Sequence, residues 1–351
     1  MQKLLILLLL FSTAPGLAQR PPGPPPRGGG GPPPAREHNA TEAKILKLDE
    51  ANRRPPAKSE IDVTEDDTFV KIEANGIPAH KVARFPNRGN PHEITEQGYD
   101  IEIPANPEPA PEITFLHSEP GQPAPRPMQF GITLDGVIIQ PDTAEFWMGD
   151  REKNWNYEAL GGAVGLGLDT NYAHVQPTGM YHYHGIPTGL MQRLGFKKGK
   201  HSPMIGWAAD GFPIYAMFGN SDPTVAGTAV ELKSSYALKA GDRPKKPEGP
   251  GGEYDGAFVQ DYEFVSGSGN LDECNGRFCV TPEFPDGTYA YFMTSDWPVI
   301  PRAFKGTPTT LVEPRRGGPG EHPPRGRGDG PPPGGGPPPF GKGGKGGPPP
   351  R

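Results

Sequence analysis

The sequence predicts an all-β protein: a single strand-dominated, turn-rich domain flanked by disordered tails rich in proline and glycine. The first observation is composition, since 50 glycines and 49 prolines among 351 residues far exceed the ~12% that these residues usually contribute together. Helical bundles and coiled coils do not tolerate such residues inside their helices. The second observation is that apolar and polar residues alternate with period two between Asn-Gly and Asp-Gly pairs, a pattern typical of strands joined by tight turns.

The first 18 residues have the pattern of a secretory signal peptide. Lys3 supplies a positive charge, residues 4–11 form an apolar run, and Gly16 and Ala18 are small residues suited to a cleavage site. A membrane-spanning helix needs ~20 apolar residues, so we expect no transmembrane segment. The sequence therefore predicts that the mature chain begins near Gln19 and is secreted or periplasmic.

Composition divides the rest of the chain into three segments. Residues 19–58 are expected to be disordered, with a stretch over 40–52 that is compatible with a short helix before Pro55-Pro56. Residues 59–306 form the predicted β domain, and residues 307–351 form a second disordered tail, which is basic. The net charge is −6, and because the tails are basic the body is more acidic than this figure. We therefore expect no nucleic-acid partner, and tails of this kind suit spacers in a cell envelope.

A weak internal repeat predicts a duplicated strand-turn-strand unit. Residues 177–183 and 285–291 share the pattern Pro-x-Gly-x-Tyr-x-Tyr, and a Leu-Asp pair precedes each copy. His182 and His184 of the first copy are replaced by Ala290 and Phe292 in the second. Since the fold accepts the second pattern without imidazoles, the histidines of the first copy are candidates for chemistry.

The spacing of three histidines predicts that they share one face of a β-hairpin. His182 and His184 are two residues apart and would point the same way on a strand. Pro177-Thr178-Gly179 suits a three-residue hairpin loop, because proline presets the first torsion and glycine accepts the left-handed position. With that loop His174 lies directly opposite His182, whereas a loop of two residues would send His174 to the opposite face.

Three neutral imidazoles on one face suit a copper or zinc ion, and His174, His182 and His184 are the predicted metal ligands. Two other interpretations stay open: the histidines are hydrogen-bonded structural groups, or they act in acid–base chemistry without a metal, together with Asp210. Among the other histidines, His80 is the most plausible additional ligand, and His92 and His117 are expected in polar loops. The glycine-rich segment Gly161–Gly167 is predicted to be a loop that approaches the hairpin.

Cys274 and Cys279 are separated by four residues that include a glycine able to turn the chain. In an oxidising compartment such a pair usually forms a local disulfide. We therefore predict a disulfide bond between them. A metal–thiolate pair is the alternative, but it needs more soft ligands than the chain has.

The segment around the histidines resembles the bacterial YHYH-domain family. The resemblance covers about 59–306 and implies a secreted β-rich domain, without an established activity. Family members often carry a second Tyr-His-Tyr-His after the Pro-Asp-Gly turn, from which Tyr289-Ala290-Tyr291-Phe292 departs, so a site that used both copies would be incomplete here. The residues that carry the resemblance are Tyr181-His182-Tyr183-His184-Gly185, Asn75-Gly76-Ile77-Pro78, Phe85-Pro86-Asn87, Ala208–Tyr215 and Leu271–Gly276.

Two classes of function follow from these patterns. The first is a secreted copper- or zinc-binding β domain, with a periplasmic oxidoreductase or hydrolase as the activities considered. The second is a non-catalytic module of the envelope or the extracellular space. No nucleophile elbow, phosphate loop or His-Glu-x-x-His motif is present in the sequence, so the pattern identifies no catalytic residue, no cofactor other than a metal, and no substrate.

Overall fold

The computed structural model describes residues 38–123, 125 and 129–312, and strands dominate these residues. The described residues contain one short α-helix, α1 (Thr188–Arg193), and no helix in them is long and apolar enough to cross a membrane. The predicted all-β class is confirmed. The strands are β1 (Ile61–Glu65), β2 (Phe69–Ala74), β3 (Tyr99–Pro104), β4 (Thr114–Phe115), β5 (Gly131–Thr133), β6 (Ile138–Ile139), β7 (Ala173–Val175), β8 (Tyr181–Tyr183), β9 (Met204–Ala208), β10 (Pro213–Tyr215), β11 (Phe218–Asn220), β12 (Ala229–Glu231), β13 (Tyr236–Leu238), β14 (Tyr262–Phe264), β15 (Gly276–Cys279), β16 (Thr288–Phe292) and β17 (Ala303–Phe304).

A three-stranded antiparallel sheet, β1-β2-β3, precedes the main sheet in the chain. The apolar and polar residues of β2 alternate as the sequence predicts: Val70 and Ile72 are buried, and Lys71 and Glu73, which alternate with them, are exposed. The buried side chains of β2 and β3 belong to the same hydrophobic cluster as the tyrosines of β8. Three two-stranded sheets, β4-β17, β11-β12 and β13-β14, complete the set.

The main sheet has eight strands in the order β15-β16-β10-β9-β5-β6-β8-β7. Its two halves repeat one another. In each half a hairpin (β5-β6 or β9-β10) is followed by a parallel neighbour (β8 or β16), whose antiparallel partner (β7 or β15) forms the edge. The halves meet at the antiparallel pair β5-β9. The predicted internal duplication is therefore present in the strand order and in every strand direction.

The duplication also holds residue by residue. Ile139 lies beside Tyr183 in the first half, as Ile214 lies beside Tyr291 in the second. The loops before β7 and β15 match as well, because the phenol groups of Tyr181 and Tyr289 donate hydrogen bonds of 2.8 Å to Asp169 and Asp272, respectively. On this register, the positions of His174, His182 and His184 are occupied in the second half by Arg277, Ala290 and Phe292.

The interpretation of residues 40–52 as a short helix is wrong. Residues 38–58 run without a helix, and Asp49 forms a parallel bridge with Asp169. The backbone NH of Lys44 donates to the carbonyl of Gly161 at 2.9 Å, and Leu46 and Leu48 pack against a hydrophobic cluster around Tyr157. Pairing with the core thus satisfies this backbone, so residues 38–58 are packed rather than disordered. The predicted signal peptide and most of both tails lie outside the described residues.

The predicted disulfide between Cys274 and Cys279 is also wrong, because both cysteines are free and buried. The chain turns at Asn275, whose φ is 52°, and then extends along β15. An extended strand rises ~3.3 Å per residue, whereas a disulfide needs Cα atoms within ~7 Å of one another. Cys274 consequently packs in the cluster of the three-stranded sheet, and Cys279 packs in a different cluster with Tyr215.

Candidate metal centre

The β7–β8 hairpin has the register that the sequence predicts. His174 lies directly opposite His182, and the backbone NH of Gln176 donates to the carbonyl of Met180 at 2.9 Å. The three-residue loop closes through Gly179, whose φ of 84° is in the left-handed region that favours glycine. The turn chemistry therefore brings all three predicted ligands to one face.

The three imidazoles converge through their Nε2 atoms. Nε2 of His184 lies 3.0 Å from Nε2 of His182 and 3.2 Å from Nε2 of His174. A nitrogen from each residue lies within 4.8 Å of the other two. The side chains are 6%, 1% and 3% exposed for His174, His182 and His184, respectively, so the cluster is closed off from solvent.

The hydrogen bonds of the Nδ1 atoms orient the imidazole rings so that the Nε2 atoms face one another. Nδ1 of His174 lies 2.8 Å from the carbonyl of Leu166, and Nδ1 of His182 lies 3.3 Å from the carbonyl of Met180. Because a carbonyl only accepts, a ring that bonds to it does so with a protonated Nδ1 and leaves Nε2 with a lone pair. At His174 the side-chain NH2 of Asn90, 3.2 Å from the same Nδ1, competes with that carbonyl. Leu166 belongs to the glycine-rich segment 161–167, so the expected approach of that loop to the hairpin is confirmed. Nδ1 of His184 makes no hydrogen bond of normal geometry to a described residue.

Burial favours the neutral form of His182 and His184. Desolvation lowers the pKa of His182 to about 4, with the Met180 carbonyl acting in the opposite direction. The pKa of His184 is lowered well below its usual value, first by desolvation and then by the imidazoles of His182 and His174 and the charge of Arg302; the Pro141 carbonyl opposes the shift. A neutral imidazole nitrogen with a free lone pair is the form in which histidine binds a metal ion.

The opposite face of β8 carries a separate polar network. His80, considered from the sequence as a further ligand, lies there: its Nδ1 donates to the carbonyl of Lys81 at 2.7 Å, and its Nε2 accepts the hydroxyl of Tyr183 at 2.6 Å. Tyr181 on the same face bonds to Asp169. His80, His92 and His117 are not part of the group of three converging histidines found in the described residues.

Asp210 does not join the histidines. It sits in the turn between β9 and β10 in the second half of the sheet, where its carboxylate accepts hydrogen bonds from the hydroxyl of Tyr291 at 2.5 Å and the NH of Gly306 at 2.8 Å. Three strand spacings of ~4.8 Å separate β9 from β8. The structure therefore does not assemble the His–Asp210 pair that metal-free acid–base chemistry requires.

Sequence reasoning missed Asn90, which contacts the site, and the buried cation Arg302, whose charge acts on His184. Asn90, fully buried, donates from its side chain to the carbonyl of Val175 at 2.8 Å and lies 3.2 Å from Nδ1 of His174. Arg302, 2% exposed, pairs with Asp142 at 2.8 Å and with Glu158 at 2.6 Å. Asn90 lies three residues after the Phe85-Pro86-Asn87 segment that carries part of the family resemblance, so its position near that segment could have marked it as a candidate. Arg302 belongs to no sequence motif that would identify it as a functional residue.

Taken together, the fold and the site define a duplicated β-sheet protein with a buried three-histidine cluster on one edge hairpin. The family model described as YHYH protein matches residues 100–306, so the chain belongs to the YHYH protein family. No curated protein matches the chain, and no solved structure matches it.

Proposed function

We propose that this protein binds a copper or zinc ion through the Nε2 atoms of His174, His182 and His184. The observation that carries the proposal is the convergence of three buried nitrogens, two neighbouring pairs of which are 3.0 and 3.2 Å apart. Zinc bonds of 2.0–2.1 Å in a tetrahedral site hold neighbouring nitrogens about 3.3 Å apart. The cluster therefore needs little rearrangement to accept an ion.

The protonation pattern gives independent support. Nε2 of His174 and Nε2 of His182 both present lone pairs, because their Nδ1 atoms face carbonyls. One proton on Nε2 of His184 could bond well to only one of these neighbours, and buried lone pairs left facing each other are costly. A single cation at the centre satisfies all three nitrogens.

The burial of the three histidines favours a metal-binding module over an enzyme. Catalytic zinc sites keep an open position for water or substrate, whereas structural sites are closed. With all three imidazoles at most 6% exposed, the ion would be held rather than offered to a substrate. The protein would then be a non-catalytic metal-binding module of the envelope or the extracellular space, and the signal-like residues 1–18 support export of the chain to that compartment.

Metal analysis of the purified protein tests the proposal. The informative variants are His182→Ala and His184→Phe, because the matching ladder in the second half of the same sheet is built with Ala290 and Phe292 at these positions. We expect about one equivalent of metal in the wild type and a loss of at least tenfold in each variant. His201→Ala, which changes a histidine of the second half, is the matched control and should keep its metal. Equal, negligible metal in wild type and variants after incubation with copper and zinc contradicts the proposal.

A further inference from the structure

Resting on the proposed metal site, we infer that its preferred ion is monovalent copper, Cu(I), rather than Zn(II) or Cu(II). The first observation is that the cluster offers only neutral ligands. Within the described part of the chain, the group of histidine, cysteine and carboxylate ligands that can hold an ion consists of the three histidines alone. The desolvation cost of an ion in a buried site grows with the square of its charge. A divalent ion without an anionic ligand therefore bears a penalty about four times that of a monovalent ion.

Coordination number points the same way. Cu(I) has a filled d shell and is satisfied by two or three ligands, so three imidazoles complete its coordination. Zn(II) in proteins is almost always four-coordinate, with water or a further side chain in the fourth position. The three imidazoles are almost fully buried, and no fourth ligand residue of the described chain joins them. The site is therefore complete for Cu(I) and incomplete for Zn(II).

Separate titrations with ions of different charge test the inference. Ag(I), which has the charge and filled d shell of Cu(I) without its redox chemistry, and Zn(II) are titrated separately into metal-free wild-type protein, and Cu(I) is titrated without oxygen. We expect Ag(I) and Cu(I) to bind with one equivalent and Zn(II) to bind at least about 100-fold more weakly. Zn(II) binding as tight as that of Ag(I), abolished by His182→Ala, overturns the inference and leaves the proposed metal site intact. Binding of none of the three ions overturns the metal site itself.

A charge variant tests the electrostatic argument directly. Gln140 directly follows β6, on the face of β8 that carries His184, and its side-chain oxygen accepts a hydrogen bond of 2.9 Å from Gln176. Gln140→Glu keeps that acceptor and its shape and adds one negative charge, at the loss of the 3.4 Å hydrogen bond that the side-chain NH2 of Gln140 donates to the carbonyl of Asp142. We expect the affinity for Zn(II) to rise about tenfold relative to that for Ag(I). Gln192→Glu makes the same change at an exposed position of α1 and should leave the ratio unchanged. An unchanged ratio in Gln140→Glu contradicts the argument from charge.

Discussion

His174 lies directly opposite His182 in the β7–β8 ladder, and Arg277 lies opposite Ala290 in the matching ladder of the second half. The tyrosines on the other face are kept in both halves, where Tyr181 and Tyr289 each bond to an aspartate. One sheet thus contains a half that carries the histidine face and a half that lacks it. The backbone arrangement does not need the imidazoles, which supports a role for them in binding.

Because one loop sets the register, we expect Gly179→Ala to damage the site. A Cβ at this position would collide with Oγ1 of Thr95, and the residue has a φ of 84° that costs a non-glycine residue about 1–2 kcal/mol. Gly199→Ala is the matched control, since Gly199 has a φ of 77° and open space around it. Chemical unfolding should show a larger loss of stability for Gly179→Ala than for Gly199→Ala, and metal binding should weaken in Gly179→Ala alone. Equal losses in both variants would show that the Thr95 contact is unimportant.

We expect His80 to support the hairpin without binding the metal. Its Nε2 accepts the hydroxyl of buried Tyr183, and removing a partner from such a buried bond costs about 1–3 kcal/mol. His80→Ala should therefore lower the free energy of unfolding by about this amount, measured by denaturant titration. The metal content of His80→Ala should stay at the wild-type value. Loss of the ion in this variant, with the fold intact by circular dichroism, would make His80 a ligand after all.

The hairpin could be predicted from the sequence because its determinants are local. A proline and a glycine two residues apart set the loop, and the alternation of side chains along a strand then determines which residues share a face. The arrangement of the eight-stranded sheet could not be predicted in this way. The parallel pairing of β6 with β8, which brings Ile138 beside His182, joins residues more than forty positions apart, and no turn residue encodes it.

The failures of sequence reasoning have the same physical origin. Cys274 and Cys279 look like a local pair, but the turn falls at Asn275, and β15 then carries Cys279 away. The stretch 40–52 resembles a helix by composition, yet its backbone pairs with distant loops such as the one at Asp169. Arg302 is brought into the protein interior through its pairing with Glu158, a residue far away in the sequence. In the first two cases the fold overrides a local preference, and Arg302 has no local pattern from which its position could be predicted.

We expect both cysteines to be free thiols that react only after unfolding. Burial raises the pKa of Cys274 and of Cys279, which lowers the fraction present as reactive thiolate. A thiol reagent added to protein prepared without reductant should modify neither cysteine quickly in the native state and both in denaturant. Two modified thiols per chain, counted by mass spectrometry, is the expected result. No modification in denaturant would show that the two cysteines are oxidised in solution.

His117 should make the metal-free protein sensitive to acid. Its side chain packs edge-on against Phe115 and Trp297, and desolvation, followed by the charge of Arg302, lowers its pKa to about 4. Because the folded pKa lies below the unfolded value of 6.5, the unfolded chain binds the proton more readily between these values. This contribution to stability is present above pH 6.5 and is lost as the pH falls towards 4, with a slope of about 1.4 kcal/mol per pH unit for one proton. His117→Phe keeps an aromatic ring and removes the titration. Denaturant unfolding of both metal-free proteins at pH 7, 6, 5 and 4 should therefore show a shallower pH dependence for the variant, and parallel curves would contradict the assignment to His117.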